Sequence, residues 1–220
     1  MKKDFFSFGL LIVLSACQPI PKPSVDKNLT QEERHFVERY QTVLSDYLND
    51  SIQLDLNQEL KNIIKIAPAK SENPKVLHLK TDLYMQLGQF NEALQSNNAL
   101  FYIEPRAENR YMRCTLLEVL KKSEKDIHTC YHQTAQLYKK AMSRISSRSK
   151  DYIEQNFFYH LSMLQAGHHN FDDKIKTLLN ELPDDAYEDY HEQYLTISDP
   201  MEYQSFIRSI RDGQRTYINH

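Results

Sequence analysis

The chain has 220 residues, a net charge of −3 and 26% charged side chains, with four glycines and no tryptophan. A slightly acidic chain gives no reason to expect nucleic acid as a partner, because that class relies on cationic contacts to phosphate. The length suffices for one domain, or a short array of repeats, with a substantial core. Few turn residues and many periodically spaced apolar residues predict an all-α fold.

The N-terminal segment has the pattern of an export signal that ends at a cysteine. Lys2 and Lys3 precede an apolar stretch over 5–13, which is too short to span a bilayer. The sequence Leu-Ser-Ala-Cys follows at 14–17. It resembles the lipobox of bacterial lipoproteins, which implies that 1–16 is a signal peptide and that Cys17 is acylated and becomes the mature N-terminus. The first expected partner is therefore a membrane, bound through the N-terminal lipid.

The residues after Cys17 indicate the membrane to which the protein is anchored and the segment that links the anchor to the folded domain. In lipoproteins of Gram-negative bacteria an Asp after the cysteine tends to retain the protein at the inner membrane, and this chain has Gln18 there. The resemblance thus implies the periplasmic face of the outer membrane. Three prolines in 17–28 predict an extended tether between the anchor and a helical domain over 29–220.

The first predicted helices follow the tether. Thr30 and Glu33 have the spacing of a capping box, and apolar residues then recur at helical intervals. A second helix is predicted from about Asn57 to Ile66. Asn73 and Pro74 suit the cap and the first turn of a third helix.

Residues 74–105 have the pattern of two helices joined by a tight turn. They resemble a tetratricopeptide repeat, a helix-turn-helix unit of about 34 residues. The matching residues are Leu77, Tyr84, Gly88, Phe90, Ala93 and Pro105. The departures are Lys80, Thr81 and Leu100, where the family has Leu, a small residue and Ala. The resemblance implies antiparallel helix pairs in a short right-handed solenoid with a concave binding face.

Later segments repeat this pattern less closely. A degenerate second unit covers about 108–137, where Lys122 and Ser123 replace the turn glycine, and a third helical pair surrounds Gly167. Two terminal helices, the second capped by Asp199, are expected to cover the last apolar face. An irregular helical bundle is the alternative fold.

Two cysteines remain besides Cys17, at positions 114 and 130. An exported domain meets an oxidising compartment, so we predict a disulfide between Cys114 and Cys130. In the repeat register it would join the two helices of the second unit. A metal or redox pair would need more ligands or a Cys-x-x-Cys spacing. No metal and no cofactor are therefore expected.

The fourteen tyrosines are the main candidates for partner binding. Tyrosine combines a large apolar area with a polar tip, which suits protein interfaces. Tyr84, Tyr111 and Tyr131 fall where a repeat array packs its helices or lines its concave face. The alternative is that these side chains serve helix packing.

Three functional hypotheses remain open. The first is a non-catalytic, lipid-anchored adaptor that binds an unidentified protein in an envelope assembly or secretion system. The second is an immunity or inhibitor lipoprotein that neutralises a toxin or envelope enzyme. The third and weakest is a cell-wall enzyme using Asp184 and Asp185, although these acids are explained more simply by a helix start. No nucleophile or phosphate-loop motif is present, so neither an enzyme nor a small-molecule substrate is expected.

Overall fold

The structure is a computed structural model that describes residues 28–48, 55–147, 149–182 and 184–212. The predicted signal peptide, Cys17 and nearly all of the tether lie outside the described residues. Within the described ranges every regular element is helical, which confirms the all-α prediction. The elements are α1 (Gln31–Leu48), α2 (Leu56–Ile66), α3 (Pro74–Gln86), α4 (Phe90–Ile103), α5 (Ala107–Val119), α6 (Glu124–Met142), α7 (Lys150–Gln165), a 3-10 turn (His169–Phe171), α8 (Asp172–Asn180), α9 (Asp184–Ser198) and α10 (Pro200–Arg211).

The helices divide between two compact units, whereas the sequence treats 29–220 as one helical domain. The first unit holds α1 to α4 and ends at Ile103, and the second unit spans Glu104–Asp212 and holds α5 to α10. Each unit is described by itself below.

The first unit has an aliphatic and aromatic core contributed by α1, α2 and α3. Its most deeply buried members are Phe36, Leu60, Val76 and Leu83, each without exposed area. Helix α2 begins one residue before its predicted start, because the Asp55 side chain accepts a hydrogen bond from the amide of Gln58. The burial of Phe36 and Leu60 agrees with the helical apolar spacing of α1 and α2.

The core of the second unit is largely aromatic. The ring of Phe158 stacks on Tyr138 with centroids 5.8 Å apart and meets Tyr111 edge-on at 5.9 Å. The neighbouring ring of Phe157 lies 4.7 Å from Tyr190, which brings α9 onto α7. Aromatic side chains thus supply the bulk that a chain without tryptophan needs in this core.

Three helices in the described chain end in the same kind of turn. The second residue after each helix has a left-handed backbone, with φ of 70° at Gly88, 53° at Lys121 and 87° at Gly167. The following amide donates to a carbonyl five residues earlier, which is the Schellman arrangement. These bonds run from Gln89 to Tyr84, from Lys122 to Leu117 and from His168 to Met163. The turn predicted at Lys122 and Ser123 therefore has its left-handed residue at Lys121.

Cys114 and Cys130 are joined by a disulfide between α5 and α6, with Cα atoms 5.5 Å apart. Both residues are buried, and the Oγ1 atom of Thr134 lies 3.3 Å from the sulfur of Cys114. A loop of this length contributes about 3 kcal/mol in the chain-entropy account of disulfides. The bond thus stabilises the hairpin whose turn lacks glycine.

Replacing Lys121 by Gly should stabilise the protein, because a side chain in the left-handed region costs about 1 kcal/mol that glycine does not incur. We expect Lys121→Gly to raise the free energy of unfolding by that amount in urea titrations. Lys122→Gly is the matched control, since Lys122 has no left-handed backbone and should gain nothing. Equal effects of the two changes would contradict the assigned turn.

Candidate functional site

An open groove of about 970 Å³ lies on the first unit. Its walls come from α3 and α4, and its end comes from the connection over 69–73 and the start of α1. Tyr84, one of the predicted partner-binding residues, lines this groove.

The end of the groove is held by a hydrogen-bonded chain that starts at Glu33. The Thr30 amide donates to Glu33 Oε2 at 2.9 Å, and the Glu33 amide donates to Thr30 Oγ1 at 3.2 Å, which confirms the predicted capping box. The Ser71 hydroxyl donates to the other oxygen of Glu33 and accepts from the Asn73 amide at 3.1 Å. The start of α1 is thereby tied to the connection that precedes α3.

The same hydrogen bonds control the charge of Glu33. The Ser71 hydroxyl lowers the pKa of Glu33 most, and bonds to Thr30 add to this, while burial acts in the opposite direction. The net shift is downward, so the carboxylate stays ionised at neutral pH. At this end of the groove the Asn73 side chain caps α3 by accepting hydrogen bonds from the amides of Lys75 and Val76. This confirms the cap predicted from its position before Pro74.

Lys80 places an ammonium group in the wall of the groove, at a position where the repeat family has Leu. The residue is 8% exposed, and its Nζ donates to the carbonyl of Pro68 at 2.6 Å. Burial lowers the pKa of Lys80, and the charge of Glu32 partly opposes this. The bond to Pro68 uses one of the three donors of the ammonium group of Lys80, which lines the groove.

Tyr84 and the exposed residues of α4 form the opposite part of the groove. Tyr84 is half-buried, and burial and then the charge of Glu92 raise its pKa, so the hydroxyl stays protonated and can donate. Gln95 and Ala99 line the groove from exposed positions on α4. The groove therefore offers an aromatic ring, an amide, a carboxylate and an ammonium along an open surface.

The other two predicted tyrosines lie inside the second unit. Tyr131 has no exposed area, and its ring meets that of Tyr111 edge-on with centroids 5.5 Å apart. The Tyr111 hydroxyl donates to Gln165 Oε1 at 2.6 Å. Tyr131 thus corresponds to the packing alternative, whereas Tyr111 is half-buried and its ring and hydroxyl contact other residues of the same unit.

Tyr131 also belongs to a polar cluster that the sequence did not reveal. We call Glu118, Tyr131, Gln165 and Tyr203 the Glu118 cluster. The hydroxyls of Tyr131 and Tyr203 both donate to Glu118 Oε2, the former at 3.2 Å. Gln165 donates to the Tyr203 hydroxyl at 2.9 Å, and the two tyrosine hydroxyls lie 3.3 Å apart. The cluster joins α5, α6, α7 and α10.

Burial raises the pKa of Glu118 to about 7, although the hydroxyls of Tyr203 and Tyr131 act against the shift. One signal in the sequence pointed to this residue: Glu118 follows Tyr111 and Cys114 at seven and four residues, so it lies on the inward face of α5. An acid on such a face is a candidate for a perturbed pKa.

The histidines of α6 and of the turn after α7 approach one another. The rings of His132 and His168 have centroids 5.9 Å apart, and the His128 ring lies next to Gly167. Even so, the residues that the structure describes include no group of three His, Cys, Asp or Glu side chains arranged to hold a metal ion. On α7, burial lowers the pKa of His160 to about 4, which keeps this imidazole neutral.

No protein-family model, curated protein or solved structure matches this chain. Among the helices of the described ranges, none combines the length and the apolar character needed to cross a bilayer.

Tyr131 and Tyr84 should respond differently to truncation. Tyr131→Ala removes a fully buried ring and should lower the free energy of unfolding by about 3 to 5 kcal/mol. Tyr84→Ala removes a half-buried ring and should cost about 1 kcal/mol. Urea titrations followed by circular dichroism measure both, and a larger loss for Tyr84→Ala would contradict the assigned positions.

Proposed function

We propose that this protein is a lipid-anchored, non-catalytic adaptor at the periplasmic face of the bacterial outer membrane. In this proposal Cys17 carries the lipid, 17–28 is the tether, and the helical part binds a segment of another protein. The observation that carries the proposal is the open groove on the first unit. The same chain carries the lipobox-like sequence at 14–17.

The groove is better suited to an extended polypeptide than to a compact small molecule. It is open to solvent and its lining mixes polar and apolar groups, rather than being enclosed by a mainly apolar wall. Tyr84 would contact an apolar side chain of the bound segment, Gln95 would pair with its backbone, and Lys80 would bind a carbonyl or carboxylate. These are the contacts that a protein-binding groove needs.

We further propose that the helix pairs are of the tetratricopeptide kind. The repeated Schellman turns at Gly88, Lys121 and Gly167 support this, because each ends the first helix of a pair in the same way. Ala93 has no exposed area, as expected of the small residue that permits close approach of paired helices. Lys80 and Thr81 are buried despite departing from the family pattern, and the Thr81 hydroxyl donates to the carbonyl of Leu77 at 2.9 Å.

The anchor is tested by Cys17→Ser. Because this change removes the acylated thiol, the protein should lose its lipid label and its co-sedimentation with outer-membrane vesicles. The measurement is fractionation of cells grown with a labelled fatty acid. Labelling and membrane association equal to those of the unchanged protein would remove the lipoprotein part of the proposal.

The groove is tested by site-specific photocrosslinking in intact cells. A photoreactive phenylalanine at Gln95, which lines the groove, should give a defined crosslinked protein. The same group at Tyr102 is the control, because Tyr102 lies on the same helix, is 89% exposed and lies outside the groove lining. Equal products at both positions, or none at Gln95, would contradict the groove as the binding site.

The identity of the product separates the two protein-binding hypotheses. Components of an envelope assembly or secretion system, identified by mass spectrometry, would support the adaptor. A single toxin or envelope enzyme in stoichiometric amount would support an immunity lipoprotein and overturn the adaptor role.

A further inference from the structure

Helix α10 is held on the second unit by few buried groups. Ile207 is the buried residue of this helix, and Met201, Glu202 and Arg208 are exposed. Tyr203 supplies the polar contacts, since its hydroxyl meets Glu118, Tyr131 and Gln165 in the Glu118 cluster. Phe206 and Ile210 are half-buried, and the hydrogen bonds between α10 and α5 converge on one carboxyl group.

Among the residues that the structure describes, no cation contributes to the pKa shift of Glu118. The groups that face Glu118 are Tyr111 on its own helix, Tyr131 on α6, Tyr203 on α10 and the neutral Gln165 that joins the last two to α7. Burial is the main cause that raises the pKa of all three tyrosines, so they remain neutral donors near pH 7. Glu118 is thus the member of the cluster whose charge changes in the neutral range.

We propose that Glu118 makes the docking of α10 sensitive to pH, so that ionisation of its carboxyl group loosens α10 from α5 and α6. The physical reason is solvation: the neutral carboxyl group is tolerated in the interior, whereas the carboxylate gains water when Tyr203 moves away. Loosening would uncover Tyr131 and the adjoining faces of α5 and α6. A surface that is closed at acidic pH would then become accessible at alkaline pH.

Proton linkage gives the direction in which the docking of α10 changes with pH. A carboxyl group whose pKa is about 7 when docked, and 4.5 when exposed, binds more protons in the docked state. Docking is therefore strongest below pH 4.5 and weakens as the pH rises through 7. For these two values the ratio of open to docked molecules should rise about tenfold between about pH 6 and pH 8.

The test is hydrogen exchange with mass spectrometry on the mature lipidated protein in detergent micelles. After correction for the intrinsic pH dependence of exchange, the protection of peptides from α10 should fall about tenfold between about pH 6 and pH 8. Peptides from α6 and α7 should keep their protection, which separates local opening from global unfolding. The variant Glu118→Gln cannot ionise and should abolish the change.

Glu202→Gln is the matched control, because Glu202 lies on α10 but is exposed, and this variant should behave like the unchanged protein. A tenfold change that persists in Glu118→Gln, or that is absent from the unchanged protein, would overturn the proposal. If Glu118→Gln does not fold, Tyr203→Phe replaces it. Loss of the Tyr203 hydroxyl removes a bond that lowers the pKa of Glu118, so the transition should move to higher pH. An unmoved transition would equally overturn the proposal.

Discussion

The second unit depends on the need to pair a carboxyl group that lies between helices. Glu118 lies on the inward face of α5, and hydroxyl donors reach it from α6 and α10. An unpaired carboxyl group in this position would cost several kcal/mol, so the helices that carry the donors must be placed to meet it. The positions of Tyr131 and Tyr203 follow from this requirement as much as from apolar packing.

The first unit contains a carboxylate whose pKa is shifted in the opposite direction. Glu33 is also shielded, but its carboxylate accepts hydrogen bonds from the Ser71 hydroxyl and from the Thr30 amide, and the hydrogen bonds with Ser71 and Thr30 outweigh the cost of burial. Its pKa is lowered, whereas that of Glu118 is raised. Stability from Glu33 is lost as the pH falls through its lowered pKa, and stability from Glu118 is lost as the pH rises through about 7. These two carboxyl groups therefore respond to pH in opposite directions.

Much of the fold was predictable because its signals are local. Helical apolar spacing identified the inward residues of α1 and α2, and the caps at Thr30, Asn73 and Asp199 were visible as short patterns. Glycine marked two of the three left-handed turns. Lys121 gave no such signal, because the adjoining helices impose its backbone conformation on a residue that does not prefer it.

The candidate site was predictable only in part, because its remaining features depend on distant segments. Tyr84 lines the groove, as its place in the repeat pattern suggested. The burial of Tyr111 and Tyr131 depends on α7 and α10, which cover them, and no local pattern in α5 or α6 encodes those helices. Glu118 was missed for the same reason, since the contact that matters most to it comes from Tyr203.

A tyrosine beside a glutamate therefore has two different consequences in this chain. At the groove, Glu92 and Tyr84 lie on an open surface, where water solvates the carboxylate and both groups can bind a partner. In the second unit, Tyr131 has no exposed area and burial raises the pKa of Glu118, and we propose that this pairing makes the docking of a helix depend on protonation. Both places pair a tyrosine with a glutamate, and they differ in how much water reaches the carboxyl group. For this reason the tyrosine content alone does not separate the open position of Tyr84 from the interior position of Tyr131. The solvation of the acid beside each tyrosine does separate them.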